Sequence, residues 1–401
     1  MKAICLPTKQ RISPYGDFAS EMPVLNQPLH QVQRRALLEA GVALVDEPPT
    51  DEPYLVFSDR TWFTAELVRL LCAAGVGRLQ VTHAGWWEAT GALQALPSPG
   101  LYEMGVVAAG QAPTLQLPPR ELDLSFTEMD PPRVHASMRH ALRPLFSSAA
   151  MVHQIDHWSH IVRVNQLAIA GRAEAARLAF ERAGFFRKVA MIASILWRAK
   201  SLRRDRIVDA LTERPRGANI HPTAVVELCV LGEDVEIGPH AVVRASIIGD
   251  GARVEEHATV NLSSIGNGAN VGRFAMVNLS TLMDGAMVSC GGGYQCCVFG
   301  KDAFVAWGAT ILDLSFGRPV QVRSGGQRMD SGQHFLGAAV GHRARIGNAV
   351  RISYGVEVAN DAFLVPPKSG LIRDASDAPA HEAACWTTGG GVKPIREKKS
   401  E

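Results

Sequence analysis

Residues 231–298 read LGEDVEIGPHAVVRASI, IGDGARVEEHATVNLSS, IGNGANVGRFAMVNLST and LMDGAMVSCGGGYQCCV, four blocks of 17 residues that align without a gap. An apolar residue opens each block, and others follow six and twelve positions later, as Ile248, Val254 and Val260 do. An amphipathic helix needs a spacing near 3.6, and a half-buried strand needs a spacing of two. The repeat instead predicts a three-sided prism whose coils stack about 4.8 Å apart and bury one continuous core.

The hexad pattern covers about residues 217–366 and resembles the left-handed parallel β-helix of hexapeptide-repeat transferases. This resemblance implies a homotrimer with sites in the grooves between neighbouring prisms. We place the domain at 217–372. The repeat breaks once, after Ile311, and resumes at Val340. Residues 313–339 are therefore expected to leave the prism as a loop, and loops on a rigid scaffold are frequent places for binding chemistry.

The composition narrows the class of protein. A net charge of +2 gives no overall attraction to nucleic acid. No run of about 18 apolar residues is free of charge, so no membrane-spanning helix is expected. The seven cysteines are scattered and lack paired CxxC spacing, which favours a reducing compartment. We expect a cytoplasmic protein of two or three domains that binds no nucleic acid.

The first 135 residues alternate strand-like and helix-like runs, which predicts a Rossmann-like α/β domain with a parallel sheet. Within them RISPYGDFASEMPVLNQPL, residues 11–29, resembles the start of sugar-phosphate nucleotidyltransferases. The resemblance implies that Arg11, Asn26 and Asp59 bind a nucleotide, with magnesium as the metal at Asp59. However, CLPTKQ replaces the family's glycine-rich loop, and its two lysines are missing. We therefore expect a truncated, degenerate nucleotidyltransferase-type domain.

Residues 136–216 are rich in Ala, Arg and Leu and predict a helical connector. Within this connector, IDHWSHIVRVNQLAI resembles the element that follows the nucleotidyltransferase sheet. His153, His157 and His160 have the spacing of one helix face. Because the HExxH pattern is missing, we expect these histidines to make hydrogen bonds. A metal site is the alternative.

Residues 185–206 are basic and amphipathic. Such a stripe is typical of a helix that packs its apolar face on a core, and less often of a helix on a membrane surface. We expect the first arrangement, so membrane contact is the less favoured alternative. Residues 373–401 are expected to form a polar C-terminal tail.

Two columns of polar side chains should run along the outside of the prism. His240 and His257 occupy the same place in successive coils, and so do Asn261 and Asn278. The columns are either an ordinary wet exterior or part of an inter-subunit groove that binds a sugar or nucleotide sugar.

His342 is the leading catalytic candidate. GHRARIGN, which begins at Gly341, resembles the GHxxYLGD phrase around the catalytic histidine of glucosamine-phosphate acetyltransferases. The resemblance implies that His342 is a general base for acyl transfer from acyl-CoA, such as acetyl-CoA. Arg345 and Asn348, which replace the tyrosine and aspartate, then face the substrate. His334 is the next candidate, and a polar exterior residue of an ordinary hexad is the alternative for His342.

Taken together, the chain resembles the bifunctional UDP-N-acetylglucosamine pyrophosphorylase/glucosamine-phosphate acetyltransferase family. This resemblance implies a transferase of nucleotide-sugar or cell-envelope metabolism that moves an acyl group from acyl-CoA to a sugar. One alternative is a magnesium-dependent sugar-phosphate nucleotidyltransferase. The other is a non-catalytic assembly or regulatory protein that retains both folds.

Overall fold

The computed structural model describes residues 1–129, 144–200, 203–215 and 217–367, together with two strands of the C-terminal segment. Those strands, Cys385–Thr388 and Gly391–Pro394, pair as an antiparallel hairpin where a plain polar tail was expected. The expected boundary between residues 135 and 136 lies outside the described residues.

The front of the chain forms a six-stranded sheet around a buried strand. Tyr54–Ser58 is buried throughout, as its unbroken apolar composition requires. Its sheet is mixed, and not the parallel sheet that the strand–helix alternation predicted. The reason is that Leu101–Val107 enters the sheet beside Gly77–Val81 and runs antiparallel to it. Where the two strands meet, Gly100 O accepts the N–H of Val81 at 2.9 Å. In spatial order the strands are Ala43–Leu44, Lys2–Leu6, Tyr54–Ser58, Leu101–Val107, Gly77–Val81 and Pro119–Leu122.

Shorter elements complete this domain. Its helices are α1 (Leu29–Glu39), α2 (Ala65–Ala74) and α3 (Ala84–Thr90), with a 3-10 turn at Ala19–Glu21. Short antiparallel pairs flank the sheet: Pro23–Val24 with Gln27–Pro28, Thr61–Phe63 with Val152–Gln154, and Thr127–Met129 with Leu145–Ser147. Residues 145–154 are therefore strands of the front domain, and the helical connector begins later than expected.

The described part of the connector contains the helices α4 (Trp158–Arg182), α5 (Phe185–Ala199) and α6 (Arg204–Ala210). The first half of α4 is buried, including Trp158, and Asn165 holds the front domain by accepting the backbone N–H of Leu25 at 2.8 Å. The expectation for α5 was wrong, because its apolar side chains face outward and not toward a core.

The remainder is a solenoid of stacked parallel strands on three faces, which fits a left-handed β-helix. One face holds Asn219–Ile220, Glu236–Ile237, Arg253–Val254, Asn270–Val271, Met287–Val288, Phe304–Val305, Arg345–Ile346 and Phe363–Leu364. The second holds Val225–Glu227, Val242–Arg244, Thr259–Asn261, Met276–Asn278 and Gly293–Gln295, with the pair Thr310–Ile311 and Arg351–Ile352 beyond them. The third holds Val230–Leu231, Ile247–Ile248, Ser264–Ile265, Thr281–Leu282, Val298–Phe299, Ala339–Val340 and Glu357–Val358.

The repeat sets the register of the solenoid. Val243, Val260 and Val277 pair in sequence at intervals of 17, and each is fully buried. The pairing crosses the one break, because Phe299 pairs with Val340. The intervening chain leaves the prism and forms a hairpin of Gln321–Ser324 and Gln327–Asp330.

The two domains share one hydrophobic core, so they form a single packed body. Val298 and Leu336 of the solenoid side belong to the same buried cluster as the front-domain residues Tyr15 and Trp62. The Tyr15 hydroxyl donates to the backbone oxygen of Val298 at 3.1 Å. The front domain is therefore docked along the side of the solenoid.

Candidate functional site

His342 is held through both ring nitrogens. Its Nδ1 accepts the backbone N–H of Lys301 at 2.8 Å. Its Nε2 lies 3.1 Å from Oδ2 of Asp17, which comes from the front domain. Only 5% of the residue is exposed. The backbone N–H at Nδ1 fixes the neutral tautomer with its proton on Nε2, so no nitrogen lone pair faces a substrate.

The same backbone bond recurs in almost every coil. Asp250 Oδ1 accepts the N–H of Glu233 at 2.8 Å, and the rungs above it have the same geometry. We call this column the corner ladder; its acceptors are Asp250, Asn267, Asp284, His342 and Asn360. His342 thus takes the place that Asp or Asn takes in other coils. The signal was available in the sequence, since each of these residues lies two after a hexad anchor.

Asp17 and Lys301 complete the surroundings of this histidine. Burial lowers the pKa of His342, and the carboxylate of Asp17 offsets only part of that effect. The imidazole is therefore neutral near pH 7. Lys301 Nζ also lies 3.3 Å from Oδ2 of Asp17. The cluster ties a loop of the front domain to the corner ladder.

The other residues of the expected acyl-transfer site have contacts or surroundings of their own. His334 Nδ1 bonds the backbone oxygen of Ser315 at 3.0 Å, at the base of the extruded loop. The guanidinium of Arg345 stacks on the ring of Phe363 at 4.8 Å, and Asn348 is exposed. Among the described residues, no hydrogen bond joins any of these three side chains to His342.

Both outer columns form. The rings of His240 and His257 stack at 5.1 Å, and Phe274 extends the stack at 4.9 Å. In the second column, Asn261 Nδ2 donates to Asn278 Oδ1 at 3.0 Å. The columns present flat rings and amides to the outside of the prism, a surface that suits a sugar ring.

The three nucleotide-binding candidates of the front domain form bonds with other groups of the protein. Asn26 is part of the domain interface, because its amide bonds the backbone of Ile265 and the hydroxyl of Ser264. Arg11 bonds the backbone oxygen of Gly16 and lies over the Phe18 ring. This placement of Asn26 departs from the expected nucleotide-binding role.

The carboxylate of Asp59 accepts the hydroxyl of Thr8 at 2.6 Å. No three side chains of His, Cys, Asp or Glu come together as a metal site in the part of the chain that the structure describes. Magnesium at Asp59 therefore has no support from the geometry.

The three histidines of the connector meet, although not on one helix face. His153 lies on a strand, His157 caps the N-terminus of α4, and His160 lies in its first turn. The expected helical spacing was wrong because the helix begins at Trp158. The rings of His153 and His160 lie 4.9 Å apart in an edge contact. His160 bonds the backbone at Asp156 and Ala92, at 3.0 and 2.9 Å, and these are structural contacts.

A pocket whose lining the sequence did not indicate lies between the extruded hairpin and the next coil. It has a volume of about 430 Å³. Arg318, Arg323 and Arg328 line it together with Tyr354 and Glu357. Arg323 and Arg328 are direct partners across the hairpin, an arrangement that is unfavourable for like charges. Among the described residues, no ion pair joins these three guanidinium groups to a carboxylate.

Comparisons with known proteins give two similar solved structures. One is the UDP-N-acetylglucosamine acyltransferase of Francisella novicida, 13% identical, with 46% of this chain and 68% of that chain covered and a TM-score of 0.14. The other is the polysialic acid O-acetyltransferase OatWY, 15% identical, with 46% and 88% covered and a TM-score of 0.17. Similarity at this level supports no conclusion about function. No protein-family model and no curated protein sequence matches the chain.

Proposed function

We propose that the solenoid is a sugar acyltransferase domain whose donor or acceptor binds through a diphosphate in the hairpin pocket. The observation that carries the proposal is a set of three exposed arginines around one concavity, none of which pairs with a carboxylate of the described residues. Guanidinium groups bind phosphate oxygens through paired hydrogen bonds. A bound diphosphate would also relieve the repulsion between Arg323 and Arg328.

Two classes of ligand share this chemistry. Acyl-CoA carries a diphosphate, and so does a nucleotide sugar. One similar structure is an acyltransferase of a nucleotide sugar and the other an acetyltransferase of a polysaccharide, by their own descriptions. Acyl-CoA is our proposed donor, and a sugar or nucleotide sugar is our proposed acceptor. The homotrimer implied by the hexapeptide resemblance remains part of this proposal.

The pocket is tested by ligand-induced stabilisation. We expect acetyl-CoA or a UDP-sugar to raise the melting temperature of the wild type, because a ligand that binds only the folded state stabilises it. The double variant Arg323→Gln, Arg328→Gln should lose at least about tenfold in affinity, as two charge-assisted contacts disappear. Arg351→Gln is the matched control, since this exposed arginine lies on the solenoid outside the pocket. Unchanged affinity in the double variant would contradict the proposal.

A second experiment decides the role of His342. His342→Asn keeps an acceptor for the Lys301 N–H, as Asn360 does one coil on, but removes any imidazole chemistry. We expect this variant to release CoA at the wild-type rate. His342→Ala should lower the free energy of unfolding by about 1–3 kcal/mol, because a buried N–H loses its partner. A folded His342→Asn variant without turnover would establish the imidazole as the base.

A non-catalytic assembly protein is the second candidate. The observation in its favour is that Asn26 and His342, which carry the two motif resemblances, both bond across the domain interface. Ligand binding in the pocket without any CoA release from acetyl-CoA would select this alternative.

A further inference from the structure

Helix α5 exposes an apolar face that no other part of the described chain covers. Phe186 is 87% exposed, Trp197 79% and Phe185 75%. The apolar side chains follow one stripe of the helix; its exposed members are Phe185, Phe186, Val189, Ile192, Leu196 and Trp197. Exposed aromatic residues at this density mark a surface that binds something.

The segment that carries this stripe is strongly basic. Arg187 and Arg198 lie on the opposite side of α5, at positions about 200° around the helix from Phe185. The segment 185–206 contains seven lysines and arginines and one aspartate, a net charge of +6. The whole chain has a net charge of +2, so the rest of the chain has a net charge of −4 and this segment differs from it in sign.

The net charge of the segment indicates which kind of partner binds the apolar stripe. A second copy of the chain would bring an equally positive segment against the first, and like charges oppose that contact. An anionic lipid surface complements the charge, and it accepts Phe and Trp at the depth of its headgroups. Basic residues flanking an aromatic and aliphatic stripe are the pattern of helices that lie in this interface.

The length of α5 fixes how it can meet a bilayer. Its 15 residues span about 22 Å, which is less than the roughly 30 Å hydrocarbon core. Among the described residues, no helix is long and apolar enough to cross a membrane. We propose that α5 lies flat on an anionic membrane surface, with its apolar stripe between the headgroups and the positive charge of its segment attracted to the lipid phosphates. This inference is independent of the ligand pocket.

Vesicle flotation with the full chain tests the proposal. We expect the protein to float with vesicles of two parts phosphatidylcholine and one part phosphatidylglycerol, and to stay behind with pure phosphatidylcholine. The double variant Phe186→Ser, Trp197→Ser should lose about tenfold in partitioning to the anionic vesicles, because two interfacial rings are removed. Arg187→Ser with Arg198→Ser should weaken binding and reduce its dependence on salt.

Leu38→Ser with Phe316→Ser is the matched control, because both residues are similarly exposed outside α5, at 79% and 71%. This variant should float like the wild type. The proposal is overturned if the wild type does not float with anionic vesicles. It is equally overturned if the Phe186→Ser, Trp197→Ser variant floats as well as the wild type. It is also overturned if that variant changes the subunit number in solution without changing flotation, since α5 would then be a subunit contact.

Discussion

Replacing Arg60 by Met should lower the free energy of unfolding by about 3–5 kcal/mol, because two buried carboxylates would be left facing each other. Arg60 Nη2 lies 2.7 Å from Glu103 and Nη1 lies 2.6 Å from Asp156. The three side chains are only 13, 16 and 7% exposed. This triad joins the central sheet to the chain that enters α4, so its loss should loosen both.

The pH dependence of that loss identifies its cause. Burial raises the pKa of Asp156 even with Arg60 present. In Glu103 burial is the largest single influence and raises the pKa, but the hydrogen bond and the charge of Arg60, together with Ser58 and Arg78, bring the pKa below its ordinary value. Without Arg60 both carboxyl groups should hold protons more tightly in the folded state, so the variant should recover stability as pH falls. The deficit measured by urea unfolding should therefore be smaller at pH 5 than at pH 7.

Arg69 provides a control in the same domain. It pairs with Glu66 at 3.0 Å but is 42% exposed, and exposed pairs contribute about 0–1 kcal/mol. Arg69→Met should therefore have a much smaller effect at both pH values. Equal losses in the two arginine variants would contradict the explanation by buried charge.

The solenoid could be predicted because its information is periodic. Every coil repeats the same apolar anchors, so Val243, Val260 and Val277 identify the register before any contact is known. The same alignment could have identified the corner ladder, because Asp250 and Asn267 stand in the column of His342. The short GHRARIGN phrase drew attention to the imidazole, while the column explains its position without catalysis.

Other features could not be derived from the sequence, for physical reasons. Apolar runs indicate that Leu101–Val107 is a strand but do not encode its direction, and its antiparallel pairing makes the sheet mixed. The arginine pocket depends on the pairing of Arg323 with Arg328 in a hairpin outside the repeat. The exposed face of α5 has the same periodicity as a core-facing helix, so tertiary structure alone separates the two.

A loss of stability below pH 6.5 is expected from the buried histidines. Burial lowers the pKa of His153 to about 3 and that of His160 well below its ordinary value of 6.5. Both are therefore neutral in the folded state, while the unfolded chain takes up protons as pH falls through 6.5. A depressed pKa contributes stability above the unfolded pKa that is lost on acidification. Between pH 7 and 5 the loss from His153 should be about 2 kcal/mol, and His160 should add to it.

Urea unfolding at several pH values between 7 and 5 tests this expectation with a matched pair of variants. His153→Phe keeps a ring against His160, which lies 4.9 Å away, but cannot titrate. Its free energy of unfolding should depend less steeply on pH than that of the wild type. Near pH 5 the two slopes should differ by about 1.4 kcal/mol per pH unit, which corresponds to the uptake of one proton on unfolding. His240→Phe, at an exposed position on the solenoid, should leave the slope unchanged. A His153→Phe variant with the wild-type slope would show that His153 takes up its proton in the folded state.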